Sequence, residues 1–429
     1  MTSASVESLD REGQGVARVD GKTVFIEGAL PYERVRFSTL RSKRMYEFAH
    51  LEAVERESAD RVAPRCPYFG ACGGCTLQHV GVRAQVAAKQ RTLEDALWHI
   101  GRVRPELILP AILGQAWDYR HRARFSARFV GRKGGALVGF RERHSTHVAD
   151  MLGCVILPRE ASALLPALRQ LVSALSIRER LPQIELSIGE DATVLVFRVL
   201  LPPDGADLAA LRRFGEIHGV QVWLQPGGPE SAIPLYPQDP APLFYGLPEF
   251  GVRLRFLPTD FTQVNPEVNR LLVRRAIGLL DPGPGERIAD FFCGLGNFTL
   301  PMGRLGAEVT GVDGNARLLV RAGQNARENL LESVCRFETA NLFDANDCAR
   351  LGTFDKVLLD PPRDGAVELV KSFALGKPGR IVYVSCDPGT FGRDAGVLVN
   401  ALGYRMRAAG VVNMFPHTSH VESVALFER

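Results

Sequence analysis

The sequence lacks any long apolar run, and this bears on where the protein works. No stretch approaches about 18 apolar residues without a charge, the length that a membrane-spanning helix needs. Residues 1–10 contain no basic region followed by an apolar run, so we expect no signal peptide. Only 8 of the 429 residues are cysteine, too few for a disulfide framework. We therefore expect a cytoplasmic protein with reduced thiols and no membrane partner.

The sequence also lacks a strong charge imbalance, an internal repeat and a low-complexity tract. The formal net charge is +4, so the total does not identify a class of partner. Hydrophobic residues make up 46% of the chain, enough for a large core. A chain of this length and composition is typical of a soluble protein with two or three domains.

Positive charge is concentrated in residues 119–147, which contain eight Lys and Arg residues and one acid. Arg120, Arg122 and Arg124 recur at a spacing of two, which places them on one face of a predicted strand. Four aromatic residues are interleaved with these cations: Tyr119, Phe125, Phe129 and Phe140. Cations and aromatic rings together suit single-stranded RNA, whereas the alternative is an ordinary solvated strand face.

The pattern of short elements predicts an all-β start and an α/β end. Residues 1 to about 55 are rich in turns and short strands, which fits a small barrel of the OB type. Residues 83–100 are predicted to be helical, and residues 106–250 mix strands with helices. From about residue 260 strands alternate with helices, which indicates a parallel sheet covered on both faces. The predicted strands of this region are 287–293, 308–313, 335–340, 356–360, 380–385, 404–412 and 420–427.

Polar or reactive residues stand at the ends of three of these strands. Cys386 closes the run 380–385, Asp360 closes the run that starts at Lys356, and Cys293 leads into Gly294. The carboxyl edge of an open α/β sheet is where ligands bind. We therefore expect one crevice at this edge, although a small buried hydrophobe is the ordinary alternative for a cysteine.

The glycine-containing segment Asp290–Phe298 predicts a nucleoside cofactor. Gly294 and Gly296 allow a ligand close to the backbone, and Asp313 ends the next strand, where a carboxylate can accept both ribose hydroxyls. The third glycine of a dinucleotide fingerprint is missing. This favours S-adenosylmethionine over NAD.

Three cysteines in a glycine-rich loop predict a metal centre. Five residues separate Cys66 from Cys72, two separate Cys72 from Cys75, and Cys154 is the candidate for a fourth ligand. Four thiolates suit an iron–sulfur cluster or zinc. A single Cys-x-x-Cys pair favours the cluster, with zinc or unliganded thiols as the alternatives.

Cys386 and Glu422 form a candidate catalytic pair. A thiolate is a strong nucleophile, and a carboxylate after the turn before the last strand can move a proton. The spacing alone is equally compatible with a solvated Glu422. Asp360 can accept hydrogen bonds from a base edge, but Arg363 stands where enzymes that methylate amino groups usually have an aromatic residue.

Across almost the whole chain these motifs resemble the RNA uracil-5 methyltransferases, and the N-terminal β segment resembles the TRAM domain. The resemblance implies a nucleophile at Cys386, a base at Glu422 and RNA contacts from the basic strand. It implies a four-iron four-sulfur site with the ligands Cys66, Cys72, Cys75 and Cys154. It also implies contacts to S-adenosylmethionine from Gln263, Phe292, Asn297, Asp313, Asn341 and Asp360. Asp313 and Asp387 depart from the family pattern, in which we expect Glu and Asn.

The resemblance implies a fold class and a reaction. We expect a TRAM barrel over 1–56, a central α+β iron–sulfur domain over 57–258, and a Rossmann-like methyltransferase domain over 259–429. Cys386 would attack carbon 6 of uracil, carbon 5 would take the methyl group, and Glu422 would remove the carbon-5 proton. The barrel together with the cysteines is most similar to bacterial enzymes that act on 23S ribosomal RNA.

Parts of the sequence are compatible with three other functions. An iron–sulfur electron carrier or radical enzyme needs neither Cys386 nor Glu422, and the chain lacks the Cys-x3-Cys-x2-Cys loop of radical enzymes. A ribosome-binding protein with vestigial catalytic residues fits poorly with complete nucleophile and base motifs. The same chemistry on another RNA, such as the transfer RNA T loop, stays open.

Overall fold

The computed structural model describes residues 2–429, and the chain begins as a closed five-stranded barrel. Its strands are β1 (Thr2–Leu9), β2 (Gly15–Val19), β3 (Lys22–Glu27), β4 (Arg34–Ser42) and β5 (Tyr46–Arg56). They pair in the order β1-β2-β3-β5-β4, and pairing of Thr2 with Phe37 closes the barrel. Alternate residues such as Val24 and Ile26 face inward, as the strand pleat requires. The predicted barrel is confirmed.

A buried ion pair holds the chain where it leaves the barrel. Glu33 is fully buried, and its carboxylate accepts hydrogen bonds from Arg61 Nε at 2.5 Å and Nη2 at 2.8 Å. Arg61 also donates to the Gly28 carbonyl of the barrel at 2.7 Å. Burial alone would raise the pKa of Glu33, but the hydrogen bonds and charge of Arg61 bring that pKa below its usual value.

The next region is built on a six-stranded sheet. Before it come α1 (Val82–Ala96), continued by a π-helical turn over Leu97–Gly101, and the short strand β6 (Leu107–Ile108). Its own elements are β7 (Arg122–Val130), β8 (Gly135–Gly139), α2 (Arg159–Ala174), β9 (Gln183–Ile188), β10 (Thr193–Arg198), α3 (Gly205–His218), β11 (Gln221–Gln225) and β12 (Ile233–Tyr236). The sheet order is β12-β11-β10-β9-β7-β8, followed by a hairpin of β13 (Leu243–Leu247) and β14 (Val252–Phe256).

An eight-stranded sheet follows, and it positions the candidate site. Its elements are α4 (Pro266–Leu280), β15 (Arg287–Phe291), α5 (Thr299–Arg304), β16 (Glu308–Asp313), α6 (Ala316–Glu328), β17 (Cys335–Thr339), α7 (Ala345–Arg350), β18 (Lys356–Leu359), α8 (Val367–Gly376), β19 (Arg380–Ser385), α9 (Pro388–Gly396), β20 (Arg405–Val412) and β21 (Glu422–Glu428). The order is β17-β16-β15-β18-β19-β21-β20-β6. β15 to β19 are parallel, and β21 is antiparallel to both neighbours.

Helices cover both faces of this sheet, as the uninterrupted apolar strands predict. Ile288 and Val382 pack on one face with Leu272 of α4. Ala289 and Ile381, each one residue away along its strand, pack in a separate cluster on the other face. Each fully buried aliphatic side chain of this size contributes about 1.5–3 kcal/mol to the free energy of unfolding. The central strands β15, β18, β19 and β21 therefore have no solvated face.

Two elements join this sheet from outside its own region of sequence. Leu93 and Leu97, from α1 and the turn after it, pack in the same cluster as Phe391 and Tyr404. The two-residue strand β6 pairs with β20 in parallel, at the edge of the sheet. A two-residue strand carries no periodicity, so the sequence did not predict its place. Among residues 2–429, no helix is long and apolar enough to cross a membrane.

The ion pair at the barrel exit makes a stability prediction. In Arg61→Ala the Glu33 carboxylate is left buried without its cation, so we expect the free energy of unfolding at pH 7 to fall by about 3 kcal/mol. The control is Arg34→Ala, which removes an exposed pair with Glu55 at 3.2 Å and should cost about 0.5 kcal/mol or less. Urea denaturation of both variants measures the difference.

The same prediction has a pH dependence. Because the folded-state pKa of Glu33 lies below its usual value of 4.5, the ion pair stabilises the fold above that value. This contribution is lost as the pH falls through the folded-state pKa. The gap between wild type and Arg61→Ala should therefore close in acid, and a gap of constant size would contradict the role given to the pair.

Candidate active site

The register of the last strand brings Cys386 and Glu422 together. β19 ends at Ser385, whose partner across the antiparallel ladder is Ser423 of β21. The next residues in this register are Cys386 on one strand and Glu422 on the other. Directly opposed residues in an antiparallel pair have Cα atoms about 4.5–5.5 Å apart. Cys386 and Glu422, which are 36 residues apart in the sequence, therefore lie close together at the carboxyl edge of the sheet.

Burial raises the pKa values of both groups of this pair. Glu422 is only 4% exposed, and burial, followed by the nearby Asp360, raises the pKa of its carboxyl well above the usual value. Burial also raises the pKa of the Cys386 thiol to about 12, and the charges of Glu422 and Asp360 act in the same direction. At neutral pH Cys386 is therefore a thiol until a substrate changes its surroundings.

Two further carboxyl groups lie at the same edge of the sheet. Asp360 follows β18, and burial raises its pKa to about 7. Asp290 of β15 is fully buried, and burial raises its pKa to about 7 as well. Thr299 donates to Asp290 Oδ2 at 2.5 Å, whereas Oδ1 is buried with no hydrogen-bond partner in residues 2–429. A buried oxygen without a partner marks a place where a ligand can donate a hydrogen bond.

The loop after β15 forms an open cradle. Phe292, Gly294 and Gly296 have positive φ angles of 64°, 54° and 93°, so the backbone curls back at the strand end. A Cβ at Gly294 would meet no atom within 4 Å, which shows open space on that side. Asp313 Oδ2 accepts a hydrogen bond from the Gly294 amide at 3.1 Å. The predicted glycines and the predicted acid are therefore in contact.

The other predicted cofactor residues differ in their burial and hydrogen bonds. The Asn297 side chain exchanges two hydrogen bonds with Asn269, at 3.0 and 3.1 Å, and its oxygen also accepts from the Tyr245 hydroxyl at 3.2 Å. Gln263 lies in the loop before α4 and is half-buried. Asn341 is exposed after β17, where its oxygen accepts from the Phe343 amide at 3.2 Å.

The four cysteines of the predicted cluster line one small cavity and are far along the chain from Cys386 and Glu422. They share it with apolar side chains, among them Phe69 and Met151. The Gly74 amide donates to Cys72 Sγ at 3.4 Å. Every cysteine in residues 2–429 is a free thiol. Within those residues no group of three or more His, Cys, Asp or Glu side chains is arranged to hold a metal ion, so the metal centre stays a prediction.

The three predicted RNA-binding arginines differ in position and exposure, although Arg122 and Arg124 share one face of β7 as expected. β7 begins at Arg122, so Arg120 precedes the strand, and its guanidinium lies over the Phe140 ring at 5.6 Å. Arg122 is largely buried, with only 18% of its side chain exposed, and it donates to the Pro258 carbonyl at 3.0 Å. Arg124 is 70% exposed and pairs with Glu185 at 3.0 Å. Arg122 is therefore less available for surface contacts than Arg124.

The loop that leads to Glu422 is held from the cysteine-rich segment and from α1. The amides of Thr76 and Leu77 both donate to the His417 carbonyl at 2.9 Å. Gln85 of α1 accepts from the His417 amide at 2.8 Å, and the Trp117 ring stacks on the His417 ring at 3.8 Å. These contacts were not predicted, because no local pattern links residues so far apart in sequence.

Comparison with known proteins places this site in a family. The family model described as tRNA (Uracil-5-)-methyltransferase matches residues 251–429, and the TRAM domain model matches residues 3–46. A protein of Azoarcus sp. (strain BH72), named 23S rRNA (uracil(1939)-C(5))-methyltransferase RlmD, is 59% identical over the full length of both chains. A protein of the same name from Nitrosospira multiformis is 56% identical and covers 99% of this chain and 98% of its own.

The chain belongs to the RNA uracil-C5 methyltransferase family. It is therefore a methyltransferase that uses S-adenosylmethionine, as its motifs predicted. The fold agrees: the crystal structure of Pyrococcus abyssi tRNA (uracil-54, C5)-methyltransferase with S-adenosyl-L-homocysteine superposes with a TM-score of 0.74. That chain is 24% identical and is covered in full, with 99% of this chain aligned. At this identity the likeness shows the fold alone.

One departure from the family pattern has a structural explanation. Asp387 is the N-cap of α9, and its Oδ1 accepts hydrogen bonds from the amides of Gly389 at 2.8 Å and Thr390 at 3.0 Å. The positive end of the helix stabilises this carboxylate. The Asp387 carboxylate next to Cys386 is thus occupied by backbone N–H groups, and an Asn side chain in that position could accept the same hydrogen bonds.

The cap makes a prediction about stability. Asp387→Ala removes both hydrogen bonds, and we expect the free energy of unfolding to fall by about 1 kcal/mol. Asp387→Asn is the matched control, since Asn is as good an N-cap as Asp and keeps the acceptor. Urea denaturation of the two variants tests this. An Asn variant as unstable as the Ala variant would show that charge, rather than the hydrogen bonds, is what the helix needs.

Proposed function

We propose that this chain methylates carbon 5 of a uridine in 23S ribosomal RNA through a covalent bond between Cys386 and carbon 6 of the base. The observation that carries the proposal is the strand register that brings Cys386 and Glu422 to one edge of the sheet. The names of the relatives, which share more than half of this sequence, support 23S ribosomal RNA as the substrate.

The chemistry assigns one step to each side chain. Carbon 5 of uracil is a weak nucleophile. The Cys386 thiol passes its proton to water as its sulfur bonds to carbon 6. The electron pair of the carbon 5–carbon 6 double bond is pushed toward carbon 5, which can then take a methyl group. Bound S-adenosylmethionine supplies that methyl group on a positively charged sulfur. Glu422 removes the carbon-5 proton, the ring double bond re-forms, and the Cys386–carbon bond breaks.

The cradle after β15 fits the cofactor. Open space beside Gly294 leaves room for a ligand, and the Asp313 carboxylate stands where ribose hydroxyls would be recognised. The free Asp290 oxygen adds an acceptor at the same edge. The residues assigned to the cofactor are Gln263, Phe292, Asn297, Asp313, Asn341 and Asp360. In this proposal residues 259–429 carry the chemistry.

The RNA must present an accessible base. Cys386 is partly buried at the sheet edge, so a base inside a stem cannot reach it and the target uridine must be flipped out or unpaired. We assign RNA contacts to the barrel, residues 1–56, and to the basic strand of the central region, residues 57–258. Of the three arginines there, Arg120 over a ring and the exposed Arg124 suit stacking and phosphate contacts.

For Cys66, Cys72, Cys75 and Cys154 we propose a four-iron four-sulfur cluster. All four thiols face one cavity, which is lined mainly by apolar groups, and a backbone N–H already points at Cys72. Thiolate ligands, a dry shell and N–H donors to sulfur are what such clusters use. The cluster would cross-link the segment that contains Cys66, Cys72 and Cys75 to the distant segment that contains Cys154.

The catalytic pair is tested by trapping. Cys386→Ala should bind RNA and cofactor and form no methylated product. Glu422→Gln should slow turnover by about 10²–10⁴-fold, because only the last proton transfer loses its base. Methylated RNA should then stay bonded to the protein and survive denaturing electrophoresis, and the double variant should show no such species.

The control is Cys348→Ala, which removes a buried thiol outside the site. It should turn over normally. A Glu422→Gln protein that turns over at the wild-type rate would sink the role of Glu422. A covalent species that survives the loss of Cys386 would sink the mechanism itself.

The metal centre is tested by analysis of protein purified without oxygen. We expect about four iron and four sulfide per chain and broad absorbance near roughly 400 nm. Cys75→Ser should lower the iron content, whereas Cys348→Ala should leave it unchanged. Zinc without iron would contradict the proposal.

The substrate has one specific competitor, a transfer RNA uridine. We expect 5-methyluridine to form in unmodified 23S ribosomal RNA and not in unmodified transfer RNA when each is incubated with the protein and S-adenosylmethionine. Mass spectrometry of nuclease fragments locates the modified base. Product in transfer RNA alone would overturn the choice of substrate and leave the chemistry intact.

A further inference from the structure

Three aromatic side chains lie on the outside of the barrel, where strand alternation would ordinarily place polar residues. Val24 of β3 and Ala49 of β5 face inward and belong to the barrel core. Phe25, Tyr46 and Phe48 alternate with them along the same two strands, so they point outward. Tyr46 is 39% exposed, and the other two rings are half-buried. These three rings are called the aromatic face below.

The rings of the aromatic face pack on one another rather than on the core. Phe25 is the direct partner of Phe48 across the parallel β3–β5 ladder, and their rings stack with centroids 5.5 Å apart. The Tyr46 ring meets both of them edge-on, at 6.1 and 5.6 Å. Since no core side chain covers the rings from outside, part of each ring is accessible. Exposed apolar surface of this kind marks a site of interaction.

Two arginines share the aromatic face. Arg41 of β4 is paired with Phe48, so the two side chains point to the same side of the sheet. Arg18 of β2 and Tyr46 of β5 are both paired with Thr23, which lies between them. Both arginines are exposed, and neither forms an ion pair among residues 2–429. Their charges are therefore available to a partner.

The acids near this surface are already neutralised. Glu27, two residues after Phe25 on β3, pairs with Arg143 of the central region at 2.7 Å. Glu47 of β5 pairs with Lys22 at 2.9 Å. The pair with Arg143 also attaches this side of the barrel to the central region. The surface that results is aromatic and positively charged.

The aromatic face lies near the loop that carries Glu422. Gly13, between β1 and β2, packs against that loop, and a Cβ on Gly13 would lie 3.7 Å from Ser419 Cβ. Val16 follows three residues later, so the two Cα atoms are within about 11 Å of each other. Val16 is in turn the direct partner of Phe25. OB-type barrels bind roughly 4–16 nucleotides of single strand, so one RNA strand can reach both places.

We propose that the aromatic face is a binding site for unpaired bases of the RNA that flank the target uridine. The bases stack on the rings, while Arg18 and Arg41 hold the phosphates between them. The inference rests on the proposed function for its class of substrate. Every base has a flat π surface, so this site tolerates different sequences and adds affinity rather than the choice of the uridine. The rings touch no reacting atom.

Charge decides between RNA and a second copy of this chain. In a symmetric dimer the same patch meets itself, so Arg18 and Arg41 of one copy would face the same cations of the other. Like charges brought together in this way oppose association. A polyanion with flat bases satisfies the cations and the rings at once.

The test compares two labelled decamers that carry the same charge. One is decauridylate, and the other is an abasic ribose-phosphate chain of the same length. Fluorescence anisotropy measures the binding of each to the full-length protein. The variants are the double change Phe25→Leu, Phe48→Leu and the single change Tyr46→Leu, since Leu keeps apolar bulk and has no ring. The control is Tyr32→Leu, which removes a 74% exposed ring of the same barrel.

We expect the wild-type protein to bind decauridylate about 10-fold more tightly than the abasic decamer. The double variant should lose most of this preference, and Tyr46→Leu should lose part of it. Their affinity for the abasic decamer should stay within about 2-fold of wild type, which also shows that they are folded. Tyr32→Leu should behave as wild type. Any base bound in the catalytic crevice contributes equally in all these proteins.

The arginines are tested by salt dependence. Arg41→Gln should reduce the slope of log affinity against log salt concentration by about 0.7 for both decamers, because one phosphate contact is lost. The control is Arg36→Gln on the same strand, whose side chain is 49% exposed and lies 3.7 Å from Glu55. Its slope should equal that of wild type. Equal slopes in all three proteins would contradict the role of Arg41.

The reaction supplies a second measurement. With a fragment of 23S ribosomal RNA as substrate, the double variant should raise KM by about 10-fold and keep kcat within about 2-fold of wild type, because the rings are away from the reacting atoms. A fall in kcat with an unchanged KM would contradict a role in binding flanking bases.

Four results would overturn the proposal. They are equal binding of the two decamers by wild type, an unchanged preference in the double variant, and an equal loss in Tyr32→Leu. The fourth is weaker binding of both decamers together with a lower urea unfolding midpoint, which would give the rings a structural role. Loss of self-association in sedimentation, with the preference for bases intact, would assign the face to contact between copies instead.

Failure of the proposed function is a separate result. A protein that binds decauridylate with the expected preference but forms no 5-methyluridine in 23S ribosomal RNA would refute the proposed reaction and leave the aromatic face as an RNA site. A protein that methylates the RNA and shows no preference for bases would refute only the aromatic face.

Discussion

The insertion of β21 between β19 and β20 is the constraint on which the site depends. A parallel sheet alone brings strand ends to one edge, but only this antiparallel ladder sets Ser385 against Ser423 and so Cys386 against Glu422. A slip of one residue would turn every side chain of β21 to the other face of the sheet. Val424 and Phe427 are buried in clusters on opposite faces, and this apolar alternation fixes the register.

The same burial that fixes the register sets the electrostatics. Acidic groups at the sheet edge have raised pKa values, with burial as the largest cause for Glu422, Asp360 and Asp290. A thiol among such groups stays protonated, and a protonated thiol is less easily oxidised than a thiolate. The Cys386 thiol must therefore become reactive only when substrates bind. The arrangement favours a reaction in which a bound group brings positive charge to the carboxyl edge of the sheet.

Local patterns predicted those parts of the structure that local forces determine. The strand 380–385 and its ending at Cys386 follow from a β-branched apolar run that stops at Asp387 and Pro388. The buried hydrogen bond from Lys89 Nζ to Asn413 Oδ1 was not predicted, because the two residues are 324 positions apart and nothing near either residue announces the contact. The partial burial of Arg122 was not predicted for the same reason: its alternation with Arg124 follows from the strand, but its burial depends on Pro258 and Glu185.

Long-range contacts of this kind also join the cysteine-rich segment to the chemistry. Methyl transfer to uracil exchanges no electrons with the protein, so a metal centre is not required by the reaction. The amides of Thr76 and Leu77 nevertheless hold the His417 carbonyl, and the Ser419 amide donates to Thr76 Oγ1 at 3.1 Å. Thr76 directly follows Cys75. Any group that orders the loop containing Cys75 therefore also orders the loop that carries Glu422. A metal centre at Cys75 would thus have a structural role in an enzyme whose reaction needs no redox step.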